Sequence, residues 1–194
     1  MMFETYYFNC SRQYIDLIHS GLFEEIEKII AKLPKRNTQA EINRDLFWLL
    51  TERNWSYDSL PVGIEKFPPS DLNLLEINLN NLKAGNKREL CITSYTLDAR
   101  WHADFAKHYG GKLVQLEAQF GKVESMFKDF CGFRIAYYER RLSLGIEIVM
   151  YEPRKYFIKH KLSITGMAYF DIAKKTLPAI GLDCPIFLIG IKDI

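Results

Sequence analysis

The Gly-Gly pair at positions 110 and 111 constrains the fold of this chain more than any other feature of its sequence. Glycine adopts the positive φ values of a tight turn without steric cost, and Gly-Gly is a common two-residue turn between paired strands. Residues 101–107 precede the pair and residues 113–120 follow it, and both runs are strand-like in composition. The sequence therefore predicts a two-stranded hairpin around this turn.

The second strand of this hairpin has two chemically different faces, because strand side chains alternate from one side to the other. One face is apolar and is expected to point into a core; it consists of Leu116, Ala118 and Phe120. The other face is polar and consists of Gln115, Glu117 and Gln119. Asp104 belongs to the first strand, so the hairpin is predicted to bring two carboxylates and an amide together at one end.

Composition limits the class of protein. The chain has 194 residues, of which 48% are hydrophobic, which is enough for one domain with a substantial core over residues 1–194. The formal net charge of +2 neither indicates nor excludes a nucleic-acid partner. The four cysteines lack metal-binding or redox spacing, and no segment has the character of a signal peptide or membrane span. These features favour a cytoplasmic protein with reduced thiols and no membrane association.

The N-terminal half of the chain has the periodicity of amphipathic helices. Apolar residues recur every three or four positions over residues 11–33, which predicts one helix bent near Gly21. Thr38 and Glu41 have the spacing of a capping box and predict a second helix through about Arg53. A third helix is predicted over residues 71–83, followed by a strand over residues 90–95.

The C-terminal half alternates between helices and apolar strands. Residues 123–141 form an aromatic-rich predicted helix, and residues 144–150 and 185–191 are short apolar segments typical of central strands. The intervening residues 154–177 are basic at their start and are predicted to be helical from Tyr169. Strands interleaved with helices predict an α/β fold with a mixed central β-sheet flanked by helices on both faces.

The hairpin residues have the chemical properties that phosphodiester hydrolysis requires. That reaction needs a nucleophilic water and stabilisation of negative charge on the phosphate, and a hard divalent cation supplies both. Mg²⁺ prefers oxygen ligands and leaves part of its shell to water and phosphate. Asp104, Glu117 and the main-chain carbonyl of Ala118 could form such a ligand set. The spacing alone leaves an alternative to a metal site: Asp104 could be an exposed turn residue and Glu117 a strand-edge residue, without a catalytic role.

Two short motifs resemble the catalytic hairpin of the PD-(D/E)xK nucleases. They are Asp-Phe-x-Lys at residues 104–107 and Glu-x-Gln-Phe-Gly-Lys at residues 117–122. The specific resemblance is to type II restriction endonucleases of the BglII and BstYI kind, in which glutamine replaces the usual lysine. Similar residues occur in the same order along nearly the whole chain, including positions 145–148 and 188–191.

This resemblance implies a restriction-endonuclease-like fold and a set of functional residues. Asp104 and Glu117 are expected to bind Mg²⁺ with the Ala118 carbonyl, and Gln119 is expected to place the attacking water or the scissile phosphate. An amide cannot accept a proton as a neutral lysine can, so the water must lose its proton elsewhere. Weaker candidates for acidic, basic or supporting roles are Asp98, His102, Glu24 and Glu25.

A further group of residues is expected to bind DNA. The resemblance places Lys122 near the major groove, where a lysine can donate to guanine, although a solvated lysine at a helix N-terminus needs no such role. It also likens Ser163, Thr165 and Gly166 to a loop that contacts bases. The basic stretch near residue 157 combines cations with aromatic rings, which suits phosphate contacts or a plain solvated surface. Its lysines are Lys155, Lys159 and Lys161.

The resemblance implies a homodimeric, Mg²⁺-dependent deoxyribonuclease that cuts both strands of a short palindromic site. Twofold symmetry in the protein then matches twofold symmetry in double-stranded DNA, and a GATC core with 5′ overhangs is expected. The aromatic helix over residues 123–141 is the predicted dimer contact. The alternatives are a repair or junction-resolving nuclease with the same hairpin and a DNA-binding protein without turnover.

Overall fold

The computed structural model describes residues 2–64, 76, 86–97, 101–157 and 165–192. Its strands are β1 Phe3–Phe8, β2 Ser56–Tyr57, β3 Phe105–Tyr109, β4 Lys112–Ala118, β5 Leu142–Met150 and β6 Ile186–Ile191. Its α-helices are α1 Arg12–Ile18, α2 Leu22–Lys32, α3 Gln39–Thr51, α4 Val123–Tyr138, α5 Pro153–Phe157 and α6 Phe170–Ala179. Of the helix predicted over residues 71–83, only residue 76 is among the described residues, where it is helical.

The strands form one mixed sheet in the order β1-β6-β5-β4-β3-β2. Strands β4, β5 and β6 are parallel, whereas β1, β3 and β2 pair antiparallel with their neighbours. Parallel neighbours require a crossover, and α4 provides the one from β4 to β5. One core packs α1, α2 and α3 against the sheet, and a second packs α4 and α6 against its other face. The predicted mixed sheet with helices on both faces is confirmed.

The predicted hairpin is confirmed, with β3 starting later than the sequence indicates. Gly110 and Gly111 have φ values of 56° and 86°, as a two-residue hairpin turn requires. The register pairs Phe105 with Leu116 at the open end. Asp104 therefore lies one position beyond the strand, at the level of Glu117.

Alternation along β4 and β5 assigns each side chain to one of the two cores. Val114, Leu116, Ile146 and Ile148 belong to the core that contains α1, α2 and α3. The intervening positions, 115 and 117 on β4 and 145 and 147 on β5, therefore point to the opposite face of the sheet, which α4 covers at β5. At position 145 a side chain would collide with this helix, because an added Cβ would lie 2.8 Å from the Phe133 ring. Glycine thus lets α4 pack closely against β5.

Three predictions about secondary structure need correction. The helix over residues 11–33 is two helices, separated at His19–Gly21, where Gly21 has a φ of 95° that a continuous helix cannot contain. The helix over residues 123–141 ends at Tyr138. Strand β1 was not predicted, and it pairs antiparallel with β6. The capping box of Thr38 and Glu41 at α3 is confirmed.

The strand predicted over residues 90–95 is also wrong. Arg88–Cys91 form a 3₁₀ helix, and Ile92 makes only an isolated bridge with His102. The cause is Gln115, which is fully buried and whose Nε2 donates to the carbonyls of three successive residues at 3.1–3.4 Å. Those carbonyls belong to Leu90, Cys91 and Ile92. Gln115 therefore anchors this segment, although it shares a strand face with Glu117.

Two further findings concern the cysteines and the helices. All four cysteines are free: Cys91 and Cys184 are buried, Cys10 is half-buried and Cys131 is exposed. Within the described residues, none of the helices has both the length and the apolar character needed to cross a membrane.

Candidate active site

Asp104 and Glu117 converge at the open end of the β3–β4 hairpin. The main-chain N–H of Asp104 donates to Glu117 Oε2 at 3.2 Å, and the N–H of Ala118 donates to Asp104 Oδ2 at 3.0 Å. Each carboxylate is thus held by the backbone of the opposite strand. This arrangement follows from the two-residue turn, which fixes the register that places residues 104 and 117 side by side.

The pKa values of both carboxyl groups are raised. Burial raises the pKa of Glu117 well above its usual range, and the charges of Asp104 and Asp129 raise it further. Asp104 keeps an exposed edge, yet the surrounding protein desolvates its carboxylate and raises its pKa, while the Ala118 N–H acts in the opposite direction. Lys128 lowers the pKa of Asp104 only as a minor effect. Around Asp104 and Glu117, the neighbouring negative charges therefore affect the pKa values more than the neighbouring positive charge does.

Asp129 is a third acid at this site, and it was not among the residues predicted from the sequence. It lies on α4, and burial raises its pKa from 3.8 to about 6, while a hydrogen bond from Gln119 opposes that shift. The Gln119 Nε2 donates to Asp129 Oδ2 at 2.9 Å. The available signal was an acid between the aromatic residues Phe127 and Phe130 of the predicted helix.

Gln119 is held in one orientation from both ends of its amide. Besides the bond to Asp129, its Oε1 accepts from the Gly121 N–H at 2.8 Å. A Cβ at position 121 would lie 2.8 Å from the same Oε1, so glycine makes room for the folded-back amide. One further N–H of Nε2 and one lone pair of Oε1 are left for another partner.

Glu147 is a fourth acid near the site and is fully buried. It lies opposite Glu117 in the parallel register of β4 and β5. Within the described residues, neither oxygen of its carboxylate has a hydrogen-bond partner. Burial raises its pKa well above the usual range, and the charges of Asp129, Glu117 and Asp104 add to that effect. The sequence signal was a charged residue in an otherwise apolar central strand, to which no role was given.

Four of the seven predicted DNA-binding residues are among the described residues. Lys122 is the exposed N-cap of α4, and its neighbour Val123 donates to the Gly166 carbonyl at 2.8 Å. Thr165 and Gly166 are exposed beside it, so the structure brings these three candidates together. Lys155 lies on α5, where Glu152 pairs with it at 2.7 Å. The other three candidates lie outside the described residues: Lys159, Lys161 and Ser163.

The weaker candidates are engaged in other contacts. His102 Nδ1 is hydrogen-bonded to Asp58, whose N–H donates to the Asp104 carbonyl at 3.0 Å. Glu24 pairs with Arg12. Glu25 accepts from Trp55, Lys107 and Tyr109 at 2.7–3.0 Å, which makes it part of a structural network. The expectation that Glu24 or Glu25 supports the metal ligands is therefore not supported. Asp98 lies outside the described residues.

The donor atoms at the hairpin fit a hard divalent cation. Among the described residues, no three acidic, histidine or cysteine side chains are grouped tightly enough to surround one ion. Two carboxylates and a main-chain carbonyl can still hold Mg²⁺, because this ion usually keeps several water ligands. Glu147 is buried next to Glu117 in the sheet register, where a cation would favour the charged form of its unpartnered carboxyl group.

Comparison with known proteins identifies the family. A model of the restriction endonuclease BglII/BglIII family matches residues 3–191. The chain belongs to this family. Membership supports its assignment to the type II site-specific nucleases. A search of curated proteins finds no match.

A solved structure of restriction endonuclease BglII complexed with a DNA 16-mer is similar in fold, with a TM-score of 0.63. The identity is 13%, and the alignment covers 100% of this chain and 78% of the BglII chain. The likeness confirms the predicted restriction-endonuclease-like fold of the PD-(D/E)xK type. At this identity it carries no information about individual side chains.

Proposed function

We propose that this protein is a Mg²⁺-dependent type II restriction endonuclease that hydrolyses both strands of a short palindromic DNA site. The observation that carries the proposal is the convergence of Asp104 and Glu117, each held by an N–H of the opposite strand. This pair lies in a member of a restriction endonuclease family, at the end of the hairpin where the resemblance expects the catalytic acids.

The side chains have distinct roles in this proposal. Asp104, Glu117 and the Ala118 carbonyl hold Mg²⁺, which when bound neutralises phosphate charge and acidifies a water molecule. Gln119 directs its remaining N–H to a phosphate oxygen or to the attacking water, while Asp129 and Gly121 keep the amide in place. Gln119 cannot accept the water's proton, so that proton leaves to solvent or to a neighbouring phosphate.

Double-stranded DNA is the proposed substrate. The similar BglII structure contains a DNA 16-mer, which supports DNA binding by this fold. Lys122, Thr165 and Gly166 form an exposed group directly after the active strand, where they can reach base edges or phosphates. The remaining basic and loop residues are proposed as additional DNA contacts: Lys155, Lys159, Lys161 and Ser163. A GATC core and 5′ overhangs are proposed from the family resemblance.

A homodimer is proposed because a palindromic site presents the same bases to two symmetry-related subunits. Helix α4 exposes part of Phe127 (39%) and most of Tyr138 (85%), which supports it as the contact between subunits. We further propose that residues 1–194 form one domain and that the protein acts in the cytoplasm. Sedimentation at micromolar concentration is expected to show a dimer, and a monomer alone would contradict this part of the proposal.

The decisive experiment is digestion of plasmid DNA with Mg²⁺, followed by sequencing of the fragment ends. Discrete fragments with one common palindrome at their ends are expected, and Asp104→Asn is expected to abolish them. Asp183→Asn is a matched control, because this exposed aspartate pairs with Arg134 on the far half of α4. Structure-dependent nicking without a common sequence would favour a repair or junction nuclease. DNA binding without cleavage in Mg²⁺ or Mn²⁺ would favour a non-catalytic protein.

A further inference from the structure

Glu147 is the buried charged residue that the roles described above leave unexplained. Its exposed fraction is 0%, and neither carboxylate oxygen has a hydrogen-bond partner among the described residues. A buried carboxylate without hydrogen bonds costs several kcal/mol, and proteins seldom retain one without a ligand or a function. The position therefore calls for a partner that the described residues do not supply.

The fold directs Glu147 toward the hairpin acids. Glu147 pairs in register with Glu117 on the neighbouring parallel strand, and directly opposite residues project from the same face of a sheet. Helix α4 covers that face closely, because its Phe133 packs against Gly145 two positions before Glu147. Glu147 is therefore enclosed between β5 and α4, beside Glu117.

Asp129 lies over the same part of the sheet. It precedes Phe133 by four residues, or about 6 Å along the helix, and Glu147 follows Gly145 by two residues, or about 6.6 Å along the strand. A helix that joins two parallel strands runs opposite to them, so both steps lead in the same direction. Glu147 thus lies next to Glu117 on the sheet and near Asp129 on α4, and the charges of both acids act on it.

We propose that Glu147 belongs to the cation site and accepts hydrogen bonds from the water shell of the divalent ion held by Asp104 and Glu117. This inference rests on the proposed function, and it adds a residue to the site. A role through water fits the absence of any tight group of three acidic, histidine or cysteine side chains in the described residues. Mg²⁺ retains several waters in most protein sites, and each coordinated water has hydrogen atoms to donate.

The test measures metal binding in the absence of DNA, so that it does not depend on cleavage. The full-length wild type and Glu147→Gln are unfolded thermally over a titration of Mg²⁺ and, separately, of Mn²⁺. A ligand that binds only the folded state stabilises it by RT ln(1 + c/Kd), where c is its free concentration, so Tm begins to rise as the metal concentration approaches Kd. Glu147→Gln is expected to have a higher Tm than wild type without metal, because a neutral amide replaces a buried carboxyl group that has no hydrogen-bond partner among the described residues. The metal concentration at which its Tm begins to rise is expected to be about 10–100-fold higher, as for lost outer-shell partners.

Two further variants make the result specific. Glu147→Asp keeps the charge and is expected to retain part of the metal response. Glu4→Gln is the matched control, because it removes one carboxylate from β1, at the opposite edge of the sheet, and is expected to bind metal like wild type.

The outcomes separate this inference from the proposed function. If Asp104→Asn loses the metal response and Glu147→Gln binds metal like wild type, Glu147 is a neutral structural acid and the inference fails alone. If wild type shows no response to either metal, the proposed metal dependence fails and the inference fails with it. A Glu147→Gln chain that does not fold without metal would also overturn it, because the charge would then stabilise the free protein.

Discussion

Glu25 and Glu147 show two ways in which this protein places a carboxylate away from solvent. Glu25 lies under the turn end of the hairpin and accepts hydrogen bonds from Trp55, Lys107 and Tyr109 at 2.7–3.0 Å. Glu147 lies near the open end and has no partner for either oxygen among the described residues. The same residue type is thus neutralised by the protein in one region and left without compensation in the other.

The difference indicates which of the two regions is structural. The Glu25 carboxylate already has one cationic and two neutral hydrogen-bond donors, so it requires no external ligand. Its contacts join α2 to β3. Four neighbouring acids with little compensating charge make the free protein less stable, and such an imbalance is typical of a site that binds a cation. Glu25, which the sequence suggested for the metal site, belongs to the first class.

Removing Asp104, one of the four neighbouring acids at the open end of the hairpin, is expected to have the largest effect. Asp104→Asn should lower the DNA cleavage rate about 10³-fold, because a metal contributes several kcal/mol to transition-state stabilisation and each 1.4 kcal/mol is a factor of ten. Its Tm without metal should rise. Initial rates with a plasmid substrate and a thermal melt measure both quantities. If Asp104→Asn cleaved DNA at the wild-type rate, or had a lower Tm than wild type without metal, the acids around Asp104 would not differ from Glu25 in the way described.

Removing Lys107, the cation that pairs with Glu25, should have a large effect of the opposite kind, because it should destabilise the folded protein. Lys107→Met leaves Glu25 without its ionic partner, and breaking a buried pair costs about 3–5 kcal/mol. Because both side chains retain about a fifth of their exposure, we expect the free energy of unfolding, measured in urea, to fall by about 2–3 kcal/mol. The double variant Glu25→Gln, Lys107→Met should recover part of it. An unchanged unfolding free energy would show that pairing does not stabilise this region.

Asp129 tests how the acids act on Gln119. Asp129→Ala should lower turnover about 10–100-fold, because the amide loses one of the two bonds that orient it. In a Gln119→Ala background the same change should have little further effect. Single-turnover cleavage rates of the four proteins complete this cycle. Additive losses would mean that Asp129 acts independently of Gln119.

The pH dependence of stability should give the smallest effect. Burial raises the pKa of Asp129 to about 6, so the folded protein binds this proton more tightly than the unfolded chain does. Its contribution to stability therefore falls as pH rises toward and through 6 and is lost above it. Compared with Asp129→Asn, the metal-free wild type should lose on the order of 1 kcal/mol more between pH 5 and 7.5 in urea unfolding. A loss no greater than that of Asp129→Asn would contradict the raised pKa.

The parts of the fold that depend on local pattern were predictable. The Gly-Gly turn, the capping box at Thr38 and the apolar strands β5 and β6 all follow from short-range chemistry, and each is present. The strand predicted over residues 90–95 failed because the buried amide of Gln115 holds that segment, and nothing local to residues 90–95 indicates this contact.

The meeting of Asp104 and Glu117 can be predicted from the amino-acid sequence, because a two-residue turn and the strand period are local properties that set the register of a hairpin. The other acids that join them depend on packing between distant parts of the chain. Asp129 and Glu147 reach the site because α4 crosses from β4 to β5 and packs against Gly145. The crossing of a helix over a sheet depends on contacts between residues far apart in the chain, and periodicity contains no information about them.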